Sequence, residues 1–148
     1  MAPLVVTRTL HIEAHRSAVW AALTQPELIT EWFSDTATID LRPGGDGTIG
    51  WDRWGTFPLV IEEVDEPSIF AFRWTPGSAA GPDATTLVRF TLVRFTLMEK
   101  DGGTELTVTE TGWESYGDTA GAMAQDHDRG WADHTLALQE FLEKQDSM

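Results

Sequence analysis

Residues 118–144 read DTAGAMAQDHDRGWADHTLALQEFLEK. Met123, His127, Trp131, His134, Leu138 and Phe141 recur at steps of three and four, with Leu142 beside the last, so all share one face of an α-helix. Asp126, Asp128, Asp133, Glu140 and Lys144 fall on the polar face. Asp118 fits an N-cap, and the spacing predicts a helix over about 119–144. A helix with one apolar stripe must cover another layer, and the residues before it supply one.

Working back from the helix, Thr104–Thr111 alternates as a strand with Leu106 and Val108 inward. Lys100-Asp101-Gly102-Gly103 is a hairpin turn. Residues 86–98 are a β-prone run and residues 75–85, TPGSAAGPDAT, a loop. Ser68–Trp74 is a strand with Phe70, Phe72 and Trp74 on one face and Ala71 and Arg73 on the other. Asp65-Glu66-Pro67 is a tight turn. Pro58–Val64 and Thr48–Trp54 are strands around Gly55, and Thr36–Leu41 is a strand before the turn 43–47, PGGDG. Pro26 opens a short helix carrying Leu28, Ile29, Trp32 and Phe33. Another begins near Ser17, as its cap or beside it, with Val19, Trp20 and Leu23 apolar. Residues 4–12 form the first strand. Strands joined by short turns are antiparallel. The order predicts an α+β two-layer domain with an antiparallel sheet of about six to seven strands.

The chain has 148 residues, which fits one domain over 1–148. It has no cysteine, so disulfides and thiol chemistry are excluded and a reducing compartment is indicated. The N-terminus lacks a signal-peptide pattern, and no apolar run approaches 18 residues, so the expected location is cytoplasmic with no membrane span. The formal net charge is −14, from 24 acids against 10 bases. That field repels nucleic acid and anionic membranes, so neither is expected as a partner. The acids are scattered and read as solubility.

No cofactor and no metal is expected. His127 and His134 stand seven apart, not at the i,i+4 spacing that brings two ligands to one ion. There is no G-x-S-x-G, and the PGGDG run lacks the P-loop lysine. Glu62, Glu63, Asp65 and Glu66 sit at a strand end, where solvation is the default. Each histidine has two readings, a cavity group for polar contact or proton transfer and a structural neighbour bonded to a carboxylate or carbonyl.

Seven Trp and seven Phe against one Tyr is the sharper bias. Trp32, Phe33, Trp51, Trp54, Phe57, Phe70, Phe72, Trp74, Phe95, Trp113 and Trp131 come from nearly every element. They either fill a core or wall an apolar pocket. Arg73, Tyr116, His134 and Asp52 are the polar groups expected at its mouth. Only Ser34-Asp35 separates Trp32 and Phe33 from the next strand, so these two rings are expected to close one end of the pocket.

The pentapeptide LVRFT occurs at 87–91 and again at 92–96. Five is odd and strand side chains alternate with period two, so the two copies cannot present the same face of one regular strand. Val93, Phe95 and Leu97 form the natural inward set. The first copy is then expected to be taken up by a bulge near Phe90–Leu92 or by overhang into the 75–85 loop.

Over most of its length the sequence resembles the SRPBCC (START-like, birch-pollen-allergen-like) superfamily. Within it, the similar branch is the one named after the activator of the ninety-kilodalton heat-shock chaperone's ATPase. The matching residues are the first strand, Val19-Trp20-Ala21-Ala22-Leu23-Thr24, Pro26, Trp32-Phe33, Gly44-Gly45 and Val64-Asp65-Glu66-Pro67 ahead of the strand ending at Trp74. Gly102-Gly103-Thr104 with Leu106, Thr109-Glu110-Thr111-Gly112-Trp113 and Gly130-Trp131 complete them. The resemblance implies a helix-grip fold, a curved sheet closed over the long helix with a cavity between. No catalytic residue set is assembled in the sequence. The leading expectation is therefore a non-catalytic binding protein for a small hydrophobic or aromatic molecule. Its cavity candidates are Trp32, Phe33, Trp51, Trp54, Phe70, Phe72, Trp74, Phe95, Trp113, Tyr116, Trp131 and His134. A cyclase- or hydratase-like enzyme using His134 or Tyr116 is the alternative. A co-chaperone-like interaction module is a third reading, carried by the resemblance alone, and a homodimer is compatible with all of them.

Overall fold

A computed structural model describes residues 4–74 and 91–146. The strands are β1 (Val6–Ile12), β2 (Thr36–Ile39), β3 (Asp46–Trp51), β4 (Gly55–Asp65), β5 (Ile69–Trp74), β6 (Thr91–Lys100) and β7 (Gly103–Thr111). The helices are α1 (Arg16–Thr24), α2 (Pro26–Trp32) and the long α3 (Ala120–Asp146). The strands form one curved antiparallel sheet in the order β1-β7-β6-β5-β4-β3-β2. From β2 to β7 it is a meander, and β1 returns to the edge beside β7. This is the helix-grip arrangement expected above. No described helix is long and apolar enough to cross a membrane.

Local chemistry explains the joints. The β6–β7 hairpin turns through Asp101 (φ 52°) and Gly102 (φ 80°), both left-handed, which matches the twist of the flanking strands. In β4 the register shifts between Ile61 and Glu63, so Glu62 is an extra residue and the strand bends there. Glu62 and Glu63 then meet Arg73 and Arg94 at 2.8 and 3.1 Å on the outer face.

Several boundaries differ from the sequence reading. α1 starts at Arg16 with His15 as its cap and no side-chain capping bond, so Ser17 is not the cap. β2 stops at Ile39, two residues before Leu41, which is exposed. β3 stops at Trp51 and leaves Trp54 in the turn before β4. Asp118 is not the cap of α3. A 3-10 helix, Trp113–Thr119, intervenes and breaks at Gly117, and α3 begins at Ala120. The break is local backbone geometry, which side-chain periodicity does not encode.

The core lies between α3 and the concave face. Trp131, Leu138 and Leu142 of α3 are buried, with Ala124 and Thr135 completing the stripe. Facing them, Val93, Phe95, Leu97, Leu106 and Val108 are all nearly sealed from water. The second LVRFT copy therefore holds the inward strand position, with Phe95 opposite Phe70. The alternation continues back to Thr91, which is fully buried, and Trp74↔Thr91 and Arg73↔Leu92 pair regularly. No bulge sits at Thr91 or Leu92. A polar side chain is tolerated inward at 91 because its hydroxyl bonds a buried carboxylate, Glu110. Leu87, Arg89, Phe90 and the 75–85 loop lie outside the described residues.

Candidate functional site

Where α3 passes β3, β4 and β5, the two layers part around a cavity of about 590 Å³. Phe33, Trp51, Trp54, Phe57, Trp74 and Trp131 supply its apolar walls, and His127 and His134 join them from α3. Phe33, at the C-terminal end of α2, organises the wall. It stacks on Trp131 at 5.5 Å and 11° and meets Trp51 edge-on at 5.2 Å. It meets His134 edge-on at 4.8 Å. These centroid separations lie in the favourable range for ring pairs. The Trp51 indole N–H donates to the Phe33 carbonyl at 2.9 Å, tying β3 to the end of α2.

Gly130 lies on the same helix face, and a Cβ built there meets nothing within 4 Å. The missing side chain is thus one reason the layers do not close. Asp126, Arg129 and Asp133 ring the opening.

At the inner end stands Glu110, with no solvent exposure. It lies on β7 two residues beyond Val108, so it points into the core. Its Oε2 accepts from the Trp74 indole N–H at 3.1 Å and from the Thr91 hydroxyl. Its Oε1 accepts from the Trp131 indole N–H at 2.9 Å and lies 2.8 Å from His127 Nδ1. The Trp113 indole N–H reaches the Glu110 carbonyl at 3.0 Å. Burial opposes ionisation of this carboxyl, but the His127, Thr91 and Trp131 contacts outweigh it and hold Glu110 below the ordinary carboxylate range. Glu110 is therefore ionised at neutral pH and acts only as an acceptor. His127 Nδ1 must then carry the shared proton.

His134 differs. Burial, the largest effect, pushes its imidazole below the usual histidine value, against the opposing pull of Asp133 and of a hydrogen bond to the Trp32 backbone. His134 is thus a neutral ring in the cavity wall.

Of the twelve cavity candidates, the structure brings Phe33, Trp51, Trp54, Trp74, Trp131 and His134 to this cavity. Trp32, Phe70, Phe72 and Phe95 instead pack around a void of only about 10 Å³, at the lower limit of what a single water needs. Trp32 turns from the cavity to donate to the Ala22 carbonyl at 2.8 Å, so Phe33 alone closes that end. Trp113 is fully buried behind His127 and meets its ring edge-on at 4.9 Å. Tyr116 packs against the core from the 3-10 helix and does not line the cavity. Arg73 is not at the mouth, because position 73 faces outward to Glu62. Asp52 is also misplaced, exposed in the β3–β4 turn with its backbone N–H on Asp35. The charged mouth comes from α3 instead.

Sequence reasoning missed Glu110. The signal was available, because the alternation that turns Leu106 and Val108 inward also turns Glu110 inward. The structural alternative for His127, a bond to a carboxylate, holds, and His127 still faces the cavity.

The profile of the activator of Hsp90 ATPase homolog 1-like proteins matches residues 13–143. The chain belongs to this family. No curated protein matches it by sequence. Among solved structures it is similar to protein MLL2253 from Mesorhizobium loti, at 22% identity and a TM-score of 0.80 over 95% of this chain and 98% of that one. The Aha1 dimer from Colwellia psychrerythraea is similar at 15% identity and a TM-score of 0.76, over 95% and 96% of the two chains. CalU16 from Micromonospora echinospora follows at 22% identity and a TM-score of 0.73, with 95% of this chain covering 66% of that one. Such identities carry the fold and leave chemistry to the site.

Proposed function

We propose that this member of the family binds a small, flat, hydrophobic or aromatic molecule in the cavity beside α3. The observation that carries this reading is the aromatic wall formed by Phe33, Trp51, Trp74 and Trp131 around about 590 Å³. That volume lies within the range of small-molecule sites, whose lining is likewise mostly apolar with a few polar groups. A ring sliding between these side chains would gain face and edge contacts and leave water behind. The absence of cysteine supports a cytoplasmic setting.

Titration with naphthalene-type aromatics, read by tryptophan fluorescence and by thermal shift, tests the reading. Binding should quench the cavity indoles and raise Tm, and Gly130→Leu, which fills the space, should abolish both effects. A Gly130→Leu protein that responds to the aromatics as the parent does, or a parent that responds to none of them, would end it. For the cyclase- or hydratase-like alternative, His134 lines the cavity and Tyr116 does not, while His127 lines it as well. A homodimer draws support from the dimer of the similar Aha1 structure. For a co-chaperone-like surface, the large apolar side chains exposed among the described residues are Leu4 and Val5 together and, elsewhere in the chain, Leu41, Trp54, Met98 and Leu136.

A further inference from the structure

The rings that wall the cavity stand steeply to one another. Around Trp51, the rings of Phe33, Trp54 and Phe57 are inclined at 78°, 63° and 70°, with centroids 5.2, 5.8 and 5.8 Å away. Trp74 continues the wall at 61° to Phe57 and 6.0 Å from it. Walls at such angles border one space with π surface from several sides. A ring face is the negative part of the aromatic quadrupole, so a compact positive charge in that space is attracted by each wall. The Arg53 guanidinium lies 5.6 Å from the Trp54 ring centre, so one ring of the wall already has a cation within this reach.

The same wall offers little to an anion. The Trp51 indole N–H is spent on the Phe33 carbonyl, and those of Trp74 and Trp131 on Glu110. Of the four cavity indoles, only that of Trp54, 59% exposed, has no acceptor among the described residues. An N–H donated to a carboxylate pushes electron density back into its ring, so Glu110 makes the faces of Trp74 and Trp131 more negative than those of a free indole.

The formal charges have the same sign. Asp126 and Asp133 are exposed at the opening, and Glu110 lies behind the inner end. Against these three carboxylates stand Arg129, largely exposed and 3.8 Å from Asp126, and His127, held on Glu110 at 2.8 Å. The balance is negative whether His127 holds one proton or two. The net charge of −14 extends the same field beyond the site.

We infer that the ligand class of this cavity is a small aromatic cation, a ring system bearing a quaternary or protonated nitrogen that lies among Trp51, Trp54 and Phe57. This rests on the reading of the cavity as a site for small aromatic molecules. A neutral ring of the same shape gains the burial and lacks the attraction to the ring faces. An anion meets negative faces and, on the inner wall, no indole donor.

Three two-ring probes of nearly the same outline test the inference. They are N-methylquinolinium, 1-methylnaphthalene and 1-naphthoate, each titrated into the full chain by isothermal titration calorimetry. N-methylquinolinium should bind more tightly than 1-methylnaphthalene, and at least about 10-fold more tightly than 1-naphthoate, a ratio within reach of desolvated cation–π contacts. Trp54→Leu keeps apolar bulk at an exposed position and removes the ring. It should weaken N-methylquinolinium about 5-fold more than it weakens 1-methylnaphthalene. Asp126→Asn combined with Asp133→Asn, both at exposed positions, should narrow the ratio between the cation and 1-naphthoate. The inference is overturned if 1-methylnaphthalene or 1-naphthoate binds as tightly as N-methylquinolinium, if Trp54→Leu weakens cation and neutral probe equally, or if the double variant leaves the ratio unchanged. In each of these cases, binding of 1-methylnaphthalene leaves the aromatic-site reading standing. If none of the three binds, both fall.

Discussion

His127 on α3 and Glu110 on β7 meet at 2.8 Å between Nδ1 and Oε1 and join the helix to the sheet at the inner end of the cavity. Trp131, one helical turn further along, donates to the same oxygen at 2.9 Å. The carboxylate therefore sets the rotation of α3 over the sheet and the orientation of the rings that face the cavity.

Glu110 makes acid stability the first expectation. Its carboxyl titrates lower in the folded state than in the unfolded chain, so folding favours the ionised form. That contribution is present above the ordinary carboxylate range and is lost as pH falls through the depressed folded value. Urea midpoints measured from neutral to acid pH should fall less steeply for Glu110→Gln than for the parent, although that variant starts less stable. Parallel curves would show that Glu110 contributes no proton linkage.

His134 acts at higher pH. Its folded-state value is depressed below 6.5, chiefly by burial. The unfolded chain takes up a proton as pH drops below 6.5 and the folded state resists it, so stability declines as pH falls from there toward the folded value. Above 6.5 both states hold the neutral ring and the dependence vanishes. His134→Phe should remove this part of the slope between neutral and mildly acid pH. An unchanged slope would place the titration elsewhere.

Trp131 is 3% exposed, stacks on Phe33 and bonds Glu110. Trp131→Ala should cost about 3–5 kcal/mol in urea denaturation. Trp131→Phe keeps much of the volume and loses the indole donor, and should cost about 1–3 kcal/mol, as a buried acceptor losing one partner does. A loss below about 1 kcal/mol for the alanine variant would mean that the indole is not in the core.

Gly130 weakens the middle of α3 and opens the cavity. Gly130→Ala should raise stability by about 0.5–1 kcal/mol, because the added methyl meets nothing and glycine is a poor helix former. Circular dichroism melts provide the check. Destabilisation would show that residue 130 makes a contact the cavity geometry does not contain.

The repeated pentapeptide invites a deletion. Removing residues 87–91 leaves Thr86 directly before Leu92. Thr86 can then take the place of Thr91, whose hydroxyl bonds Glu110, while Val93, Phe95 and Leu97 keep their inward register. The sequence reads the first copy as an insertion beside the 75–85 loop, and on that reading the shortened chain should fold with stability within about 1 kcal/mol of the parent, because changing loop length costs little. A loss above about 3 kcal/mol would show that the first copy carries core contacts of its own.

The architecture was legible in the chain because burial imposes periods that residues display in order. The three-and-four spacing from Met123 to Leu142 specified α3 and its stripe, and the alternation of Phe70-Phe72-Trp74, Val93-Phe95-Leu97 and Leu106-Val108 specified the concave face. The Asp101-Gly102 pair specified its hairpin through backbone conformation alone. Periodicity tells which face a residue is on and says nothing of how far apart two faced layers stand. Only the tertiary structure therefore decided that Trp51, Trp74 and Trp131 border open space while Phe70, Phe72 and Phe95 fill it. The same holds for Glu110. Its inward direction is written in β7, but its partners come from β5, β6 and α3, and a carboxylate becomes a site through what surrounds it in space.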